Sequence, residues 1–563
     1  MRIVWPNQAE AEHNSLVQEG TQKHMYHPLI RQVCPVFKRM SRVSGRVIFW
    51  VLCAMGIAVL TSFLIAPQFI LPAEDAVILF QFSRNLATTG AITFIKHGPH
   101  AEGATDFGWM VMIAGALKLG IQSVWFVGIA NAISSVGLAA LLLRIAGCRP
   151  RAVQVLFITG VLLATPQYFS AIVGFSTIPF GFLLTLAAFA YLRRKDTLLP
   201  LSSLALCLFR PDGVVFAIPM MVAAVAVYPG RVRRFTLYLL YFVLPGVIYF
   251  LWRWHYFGQF LPLPFLVKSN AQRVFHLFVL SSVQASAPYL FFGLPLLIIA
   301  LRGRLRAEGN RPLVVCLIAL PTMFYFAMRL DQNIGDRFFF YLPVSTAILI
   351  AANWHALRSR SWSCTGLGWA AAALWFLAIL APYRFQFWII RRYRLDNRAA
   401  IARDFGKLPQ GTMVVTEAGI LPYYSHWKAY DAWGLNTADF AKRLLQPSDV
   451  SRLHPDLMLV YTGGHADCFE KQDWRTPYTV RTWQHLTRNL VAGANADHLQ
   501  LWLVPFGSLS FRKHHGIGLH YGDQDCWFLQ PKSPLYPAMR AILTNHAGID
   551  AQDYLALHPE AAH

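Results

Sequence analysis

A series of apolar runs, each close to membrane length and separated by clusters of basic residues, constrains this 563-residue chain more than any other feature. A helix of about 20 apolar residues crosses the hydrocarbon core of a bilayer. That ruler places crossings near 47–66, 152–171, 173–192, 235–252, 285–301, 312–328, 338–356 and 362–382. Residues 107–143 hold one span plus a short helix, or two spans, and count as one net crossing, and 197–209 and 213–229 are short runs parted by Arg210-Pro211-Asp212-Gly213. Together they make about eleven crossings. The clusters Lys38-Arg39, Arg149 with Arg151, Arg193-Arg194-Lys195, Arg231 to Arg234, Arg302 to Arg306 and Arg358 with Arg360 then all fall on one side. Positive charge prefers the cytosolic side.

Composition settles what the charge means. The chain is 55% hydrophobic and only 14% charged, yet carries a formal charge of +22. A nucleic-acid surface would gather its basic residues on one polar face with aromatic platforms, whereas these are dispersed between apolar runs. No nucleic-acid partner is expected. The fold class expected is a polytopic α-helical membrane protein, with a cytosolic N-terminal segment over 1–45 and a transmembrane domain over 46–382. A C-terminal domain over 383–563 lies outside the cytosol. The polar, His- and Gln-rich start argues against a cleaved leader. In the C-terminal domain, Gly411 to Gly419 and Leu457 to Tyr461 read as buried strands running into glycine turns, which suggests a small α/β or α+β unit. Only Cys468 and Cys526 share that polar domain; one disulfide and two free thiols are equal alternatives there.

The candidate chemistry lies on the outer side. Glu74 and Asp75 follow the first apolar run directly, and ionised groups kept at a membrane boundary usually bind a cation, take a proton or hold a polar substrate. They open an amphipathic stretch interrupted by Gln81, Arg84 and Asn85, which reads as an interfacial helix rather than a span. The loop after it brings Glu102 and Asp106 back to the membrane, so four acids bracket the outer loop 67–106. They suit a general base with a supporting acid, or a metal site; helix capping is the plain alternative. His97 and His100 have only a loose metal-ligand spacing.

Further along, Trp254 and Tyr256 read as belt aromatics. Lys268 is either opposite a phosphate or a snorkelling anchor. Arg337 offers a bidentate fork to a phosphate, or an ion pair to Asp336 or Asp331. Arg210 is poorly explained as lipid-facing.

In order, the chain reads Glu74-Asp75, Ser83 to Ala87, Glu102-Gly103 with Thr105, and Arg210 to Gly213, followed by Tyr256-Phe257-Gly258 with Leu261-Pro262 and Lys268, then Gly335 to Phe338 with Pro343. This series resembles the integral-membrane glycosyltransferases of the C superfamily, and most closely their terminal arabinofuranosyltransferase group. Glu417 to Ser425 and Asp431 to Asn436 are similar to a stretch recurring in that group. The resemblance runs over about 40–440; the first 40 residues and the tail after about 510 match nothing in it.

The resemblance implies a bacterial inner-membrane enzyme that moves a sugar, such as arabinose, from a polyprenyl-phosphate donor to a cell-envelope glycan or glycolipid. The family's base is usually the first acid of an Asp-Asp pair; here that position is Glu74, so either Glu74 or Asp75 takes the proton, with the position favouring Glu74. Lys268, Arg337 and Arg210 would hold the donor phosphate, and Arg84, Glu102, Asp106 and Asp336 would support the site. Glu417, Tyr423, Tyr424 and Asp431 would face the acceptor. No cofactor is required, although acids near a phosphate leave room for a divalent cation. A transporter of lipid-linked sugars or a non-catalytic envelope scaffold are the competing classes, and a transporter should show paired halves that the sequence lacks.

Overall fold

The computed structural model describes residues 29–66, 70–165, 167–271, parts of 279–290, 310–328, 330, 333–354, 397–461, 478–505 and 524–553. By length and composition, three of its helices can cross a membrane: Ser123–Ile145, Arg231–Phe257 and Ile334–Ala352. Shorter apolar helices accompany them, including Phe107–Lys118, Ala152–Leu163, Thr177–Leu192 and Leu198–Phe209. The chain is thus a polytopic helical membrane protein with a C-terminal domain. The expected span 362–382, most of 285–301, the boundary at 383 and Cys468 lie outside the described residues.

Local details sharpen or alter the sequence pattern. The first helix is Leu29–Ile65, so helix begins well before the apolar run. Residues 107–143 resolve into two helices, Phe107–Lys118 and Ser123–Ile145, turned at Gly120 with φ 80°. The run 152–171 breaks after Leu163 and resumes as the short helix Gln167–Ile172.

Small residues let two helices meet closely. A Cβ added at Gly56 would run into the Leu156 carbonyl oxygen, and one added at Gly160 into that of Leu52. Backbone approach of this kind is how helices pack in lipid, where hydrophobicity alone gives no attraction between them. The core of the bundle includes Leu184, Leu206, Phe216, Met220, Leu317, Val344 and Ile348, all fully buried. The Arg231–Phe257 helix instead exposes Leu240, Leu244, Ile248 and Leu251, as a lipid-facing surface does.

The C-terminal domain is built on a mixed six-stranded sheet, in agreement with an α/β or α+β unit. Its strands are β1 Thr412–Val415, β2 Lys428–Asp431, β3 Leu457–Val460, β4 Gln500–Pro505, β5 Gln524–Leu529 and β6 Ile549–Asp550. The order is β2-β1-β3-β5-β4-β6, with β2, β1 and β3 parallel and the rest antiparallel. Both strands read from the sequence, β1 and β3, lie side by side in its interior. Cys526 on β5 is disulfide-bonded.

The two halves share one apolar cluster. Val77, Phe80, Trp109 and Met110 of the membrane half join Ile401, Phe405, Ile420, Leu421 and Trp427 of the C-terminal domain. The helix Glu74–Thr89 is the piece between them. Its interrupting polar residues, which argue against a span, have buried work: Gln81 Nε2 donates to Phe94 O at 3.0 Å, Asn85 Nδ2 to Thr93 O at 2.8 Å, and Ser83 Oγ to Met110 O at 3.0 Å. Those bonds fold the following loop back over the helix. Gly90, with φ 75°, ends it by donating to Leu86 O, a left-handed cap that glycine adopts without strain.

Candidate active site

The topology of the sheet fixes one wall of the site. Glu417 follows β1, Asp431 ends β2 and Tyr461 follows β3, so all three sit at the carboxyl edge of the parallel strands. Antiparallel β5 starts at that same edge and brings Asp525 to it, next to the Val460–Cys526 pair. Ligands of open α/β sheets bind at such edges. Here the edge faces the turns of the membrane helices across a cavity of about 590 Å³. Its lining includes Glu74, Asp75, Asp106, Phe175, Arg210, Asp212, Arg337, Phe338, Glu417, Asp431, Trp433 and Asn436.

The opposite wall is made by three breaks between helices. Arg210 is extended (φ −153°, ψ 132°) because proline follows it, and Pro211 then starts a short 3-10 turn. Its guanidinium grips Asp212, with Nε 3.1 Å from Oδ1, and lies over the rings of Phe180 and Phe338. Tyr325 OH also donates to Asp212. Ahead of the helix Tyr341–Ala352, Gly335 and Asp336 are both left-handed, at φ 63° and 50°. That kink turns Arg337 back into the cavity, where Nη2 meets Asp75 Oδ2 at 3.2 Å. The guanidinium stacks on Phe175, 3.8 Å from the ring centre. Arg337 Nη1 is buried and has no hydrogen-bond partner among the described residues. The third break, at Gly174 to Ser176, gives Ser176 Oγ, which donates to Asp106 Oδ2 at 2.9 Å.

Glu74 and Asp75 therefore have different surroundings. Asp75 faces Arg337 with its side chain 27% exposed. Glu74 is held by the C-terminal domain: Ile420 N donates to Oε2 at 2.7 Å, and Arg398 Nη1 lies 3.3 Å from Oε1. Arg398 is also 3.8 Å from Glu417 and 4.0 Å from Asp525. Three carboxylates thus surround one buried arginine. Burial, reinforced by the neighbouring Glu74 charge, pushes the Glu417 carboxyl well above the usual range. Burial also pushes Asp431 up to about 6, against the N–H groups of Trp433 and Asn436 that its oxygens accept at 2.9 Å. Asp431 is the brace of the loop that presents Trp433 and Asn436 to the cavity.

Of the residues expected from the sequence, the cavity gathers Glu74, Asp75, Asp106, Arg210, Arg337, Glu417 and Asp431. Others lie apart from it. Arg84 Nη1 donates to Tyr423 O at 2.6 Å and contacts His426 Nδ1 at 2.7 Å, so Arg84 and Tyr423 dock the C-terminal domain, while Tyr424 packs on Tyr423 and under Arg403 within it. Glu102 is buried against Arg253 at 2.5 Å and holds the outer loop to the Arg231–Phe257 helix. Asp336 accepts from Tyr289 OH at 3.0 Å. Lys268 lies on the helix Leu263–Ala271, but its side chain lies outside the described residues. His100 stacks on Tyr256, 4.0 Å between ring centres. No three His, Cys, Asp or Glu side chains are grouped to hold a metal ion among the described residues.

Arg398, Asp525, Phe175, Ser176, Trp433 and Asn436 were not singled out from the sequence as site residues. Only the one-residue gap between the runs 152–171 and 173–192 hints at Phe175 and Ser176. Nothing local marks Arg398 or Asp525, whose proximity is a product of strand order.

A family model described as a domain of unknown function (DUF8728) matches residues 390–502. No curated protein matches the chain. Among solved structures, the chain is similar to ArnT from Cupriavidus metallidurans bound to undecaprenyl phosphate, with 14% identity and a TM-score of 0.52 over 73% of this chain and 92% of that one. It also aligns with the apo state of the same protein (14% identity, TM-score 0.48, 74% and 93% covered). The Archaeoglobus fulgidus oligosaccharyltransferase aligns at 10% identity and TM-score 0.47, over 82% and 74%. At such identities the likeness is one of fold.

Proposed function

We propose that this chain is a membrane glycosyltransferase that moves a sugar from a polyprenyl-phosphate donor to an acceptor hydroxyl. The observation that carries the reading is the Asp75–Arg337 pair facing a cavity between the membrane helices and the C-terminal domain. The ArnT structure of the same fold was solved with undecaprenyl phosphate. In the reaction the acceptor oxygen attacks the anomeric carbon, its proton passes to a carboxylate, and the bond to the lipid phosphate breaks with inversion. In this reading Asp75, beside Arg337 at the cavity, accepts the proton. Glu74, favoured by position in the sequence, is instead engaged by Ile420 N and Arg398. Arg337 meets the leaving phosphate with Nη1, and the Arg210–Asp212 pair stiffens the wall beside it. Lys268 is a second phosphate contact.

The residues that meet at the cavity come from turns assigned to one side by the basic clusters. That convergence supports an eleven-crossing topology of about this form, with the C-terminal domain outside the cytosol of a bacterial inner membrane. The disulfide at Cys526 suits an oxidising compartment. A pentofuranose such as arabinose and an envelope glycan or glycolipid are the substrates the motifs favour. Purified protein in liposomes, supplied with polyprenyl-phosphate sugars extracted from a bacterial membrane, tests the reading. Transfer that releases free polyprenyl phosphate is expected; no binding of undecaprenyl phosphate and no transfer from any such donor would overturn it.

A further inference from the structure

The two arginines of the membrane wall are joined through aromatic rings, by contacts that run Phe180–Arg210–Phe338–Arg337–Phe175. The Arg210 guanidinium carbon lies 4.7 Å from the centre of the Phe180 ring and 4.8 Å from that of Phe338. That of Arg337 lies 5.1 Å from Phe338 and 3.8 Å from Phe175. Among the described residues, Phe338 is thus the ring that both guanidiniums share. It follows directly on the left-handed pair Gly335 and Asp336. Its backbone N–H donates to Asn333 Oδ1 at 3.1 Å, and its ring meets that of Tyr325 at 6.3 Å, which holds it in place. The two arginines use their N–H groups differently. Arg210 commits Nε and Nη2 to Asp212 and Nη1 to the Arg337 carbonyl at 3.4 Å. Arg337 commits only Nη2, to Asp75, among the described residues.

A carboxylate holds an arginine by taking its N–H donors. A ring face holds it through the attraction between the cation and the ring quadrupole, and leaves those donors uncommitted. Two rings therefore orient Arg337 at a cost of none of its hydrogen bonds. Without them the guanidinium would be free to close on the carboxyl groups of Asp75 and Asp106, which line the same cavity. We infer that Phe338 is a positioning residue for the donor phosphate: its ring, with that of Phe175, keeps the Arg337 guanidinium in the cavity wall and apart from those acids. The inference rests on the reading of Arg337 as a phosphate contact. An aliphatic side chain of similar size could fill the same space, but it has no quadrupole with which to orient a cation.

Replacing ring hydrogens by fluorine weakens the quadrupole while nearly preserving the shape of the ring, so the test does not depend on a truncated side chain that fails to fold. The full chain in detergent, carrying mono-, di- or trifluorinated phenylalanine at position 338, is titrated with undecaprenyl phosphate. Affinity should fall with each fluorine, by about tenfold for the trifluorinated chain, as expected for the loss of desolvated cation–π contacts. The melting temperature should stay constant. Phe324 is the control, because it lines the same cavity with no arginine over its ring among the described residues; the same series there should leave affinity unchanged. Affinity that ignores fluorination at 338, or falls equally with fluorination at 324, overturns the inference. Failure of the unaltered chain to bind undecaprenyl phosphate would sink the donor reading and the inference with it, so the two failures are told apart.

Discussion

The membrane wall and the C-terminal wall of the cavity hold their charges in different ways. On the membrane side each arginine has its own acid, Arg210 with Asp212 two residues on and Arg337 with Asp75. On the other side one arginine, Arg398, serves Glu74, Glu417 and Asp525 together. The first arrangement leaves Arg337 Nη1 available to an incoming anion. The second shares a single guanidinium among three carboxyl groups and ties the helix Glu74–Thr89 to the C-terminal domain. Glu74 and Asp75, adjacent in the chain, fall on either side of that division, Asp75 with Arg337 and Glu74 with Arg398.

The difference can be broken most forcefully at Arg398. Arg398→Met removes the guanidinium that lies within 4.0 Å of all three carboxyl groups, and removing one partner of a buried ionic group costs about 3–5 kcal/mol. A large fall in thermal midpoint is expected, partly restored by adding Asp525→Asn. If Arg398→Met melts as the unaltered protein does, the cluster is not what holds the halves together.

At the membrane wall the loss should appear in rate instead. Arg337→Ala should remove about 2–4 kcal/mol of transition-state stabilisation, or on the order of 30- to 1000-fold in transfer. Its melting should change little. A fully active Arg337→Ala enzyme would show that the guanidinium serves only Asp75 and Phe175.

The acidity of the C-terminal wall gives a pH signature. A carboxyl whose pKa is higher folded than unfolded binds its proton more tightly in the folded chain. Asp431, raised to about 6, therefore contributes stability that is complete below pH 4 and is lost as pH rises through about 6. The full swing is up to about 3 kcal/mol. Asp431→Asn should flatten that part of the melting-temperature profile; an unchanged slope would place the titration elsewhere. The smallest change is Gly419→Ala. An added Cβ there would overlap the Glu74 carboxylate and backbone, and overpacking of this kind costs about 1–3 kcal/mol. Normal melting and transfer in this variant would mean that the contact is not tight in solution.

Much of the membrane wall was legible because its residues sit in local signals: acids just after an apolar run, Arg210-Pro211-Asp212 between two short runs, Gly335-Asp336-Arg337 before another. Each signal is a break in a helix, and breaks are where polar groups can line a cavity inside a membrane. In the C-terminal wall only Glu417 and Asp431 were expected, through the resemblance of the stretches around them and not through a local break. Arg398 and Asp525 are 127 residues apart and meet because β5 runs antiparallel beside β3, a pairing no local pattern reveals. Arg84, Tyr423 and Tyr424 look functional in the sequence for a related reason: polar and aromatic residues at a docking surface have the same composition as those at a site. The contacts that distinguish Glu74 from Asp75 come from Ile420 and Arg398, more than 300 residues along the chain, where adjacency in the sequence carries no sign of them.

Single-turnover transfer by Glu74→Gln and Asp75→Asn, with undecaprenyl phosphate binding measured on the same samples, tests the division of roles most directly. Asp75→Asn should slow transfer by about 10²- to 10⁴-fold, the usual worth of a general base, while still binding the lipid phosphate. Glu74→Gln should keep transfer within about tenfold of the unaltered enzyme and lower its melting temperature, because its carboxylate holds the domain. The opposite order, with Glu74→Gln inactive and Asp75→Asn active, would contradict the account.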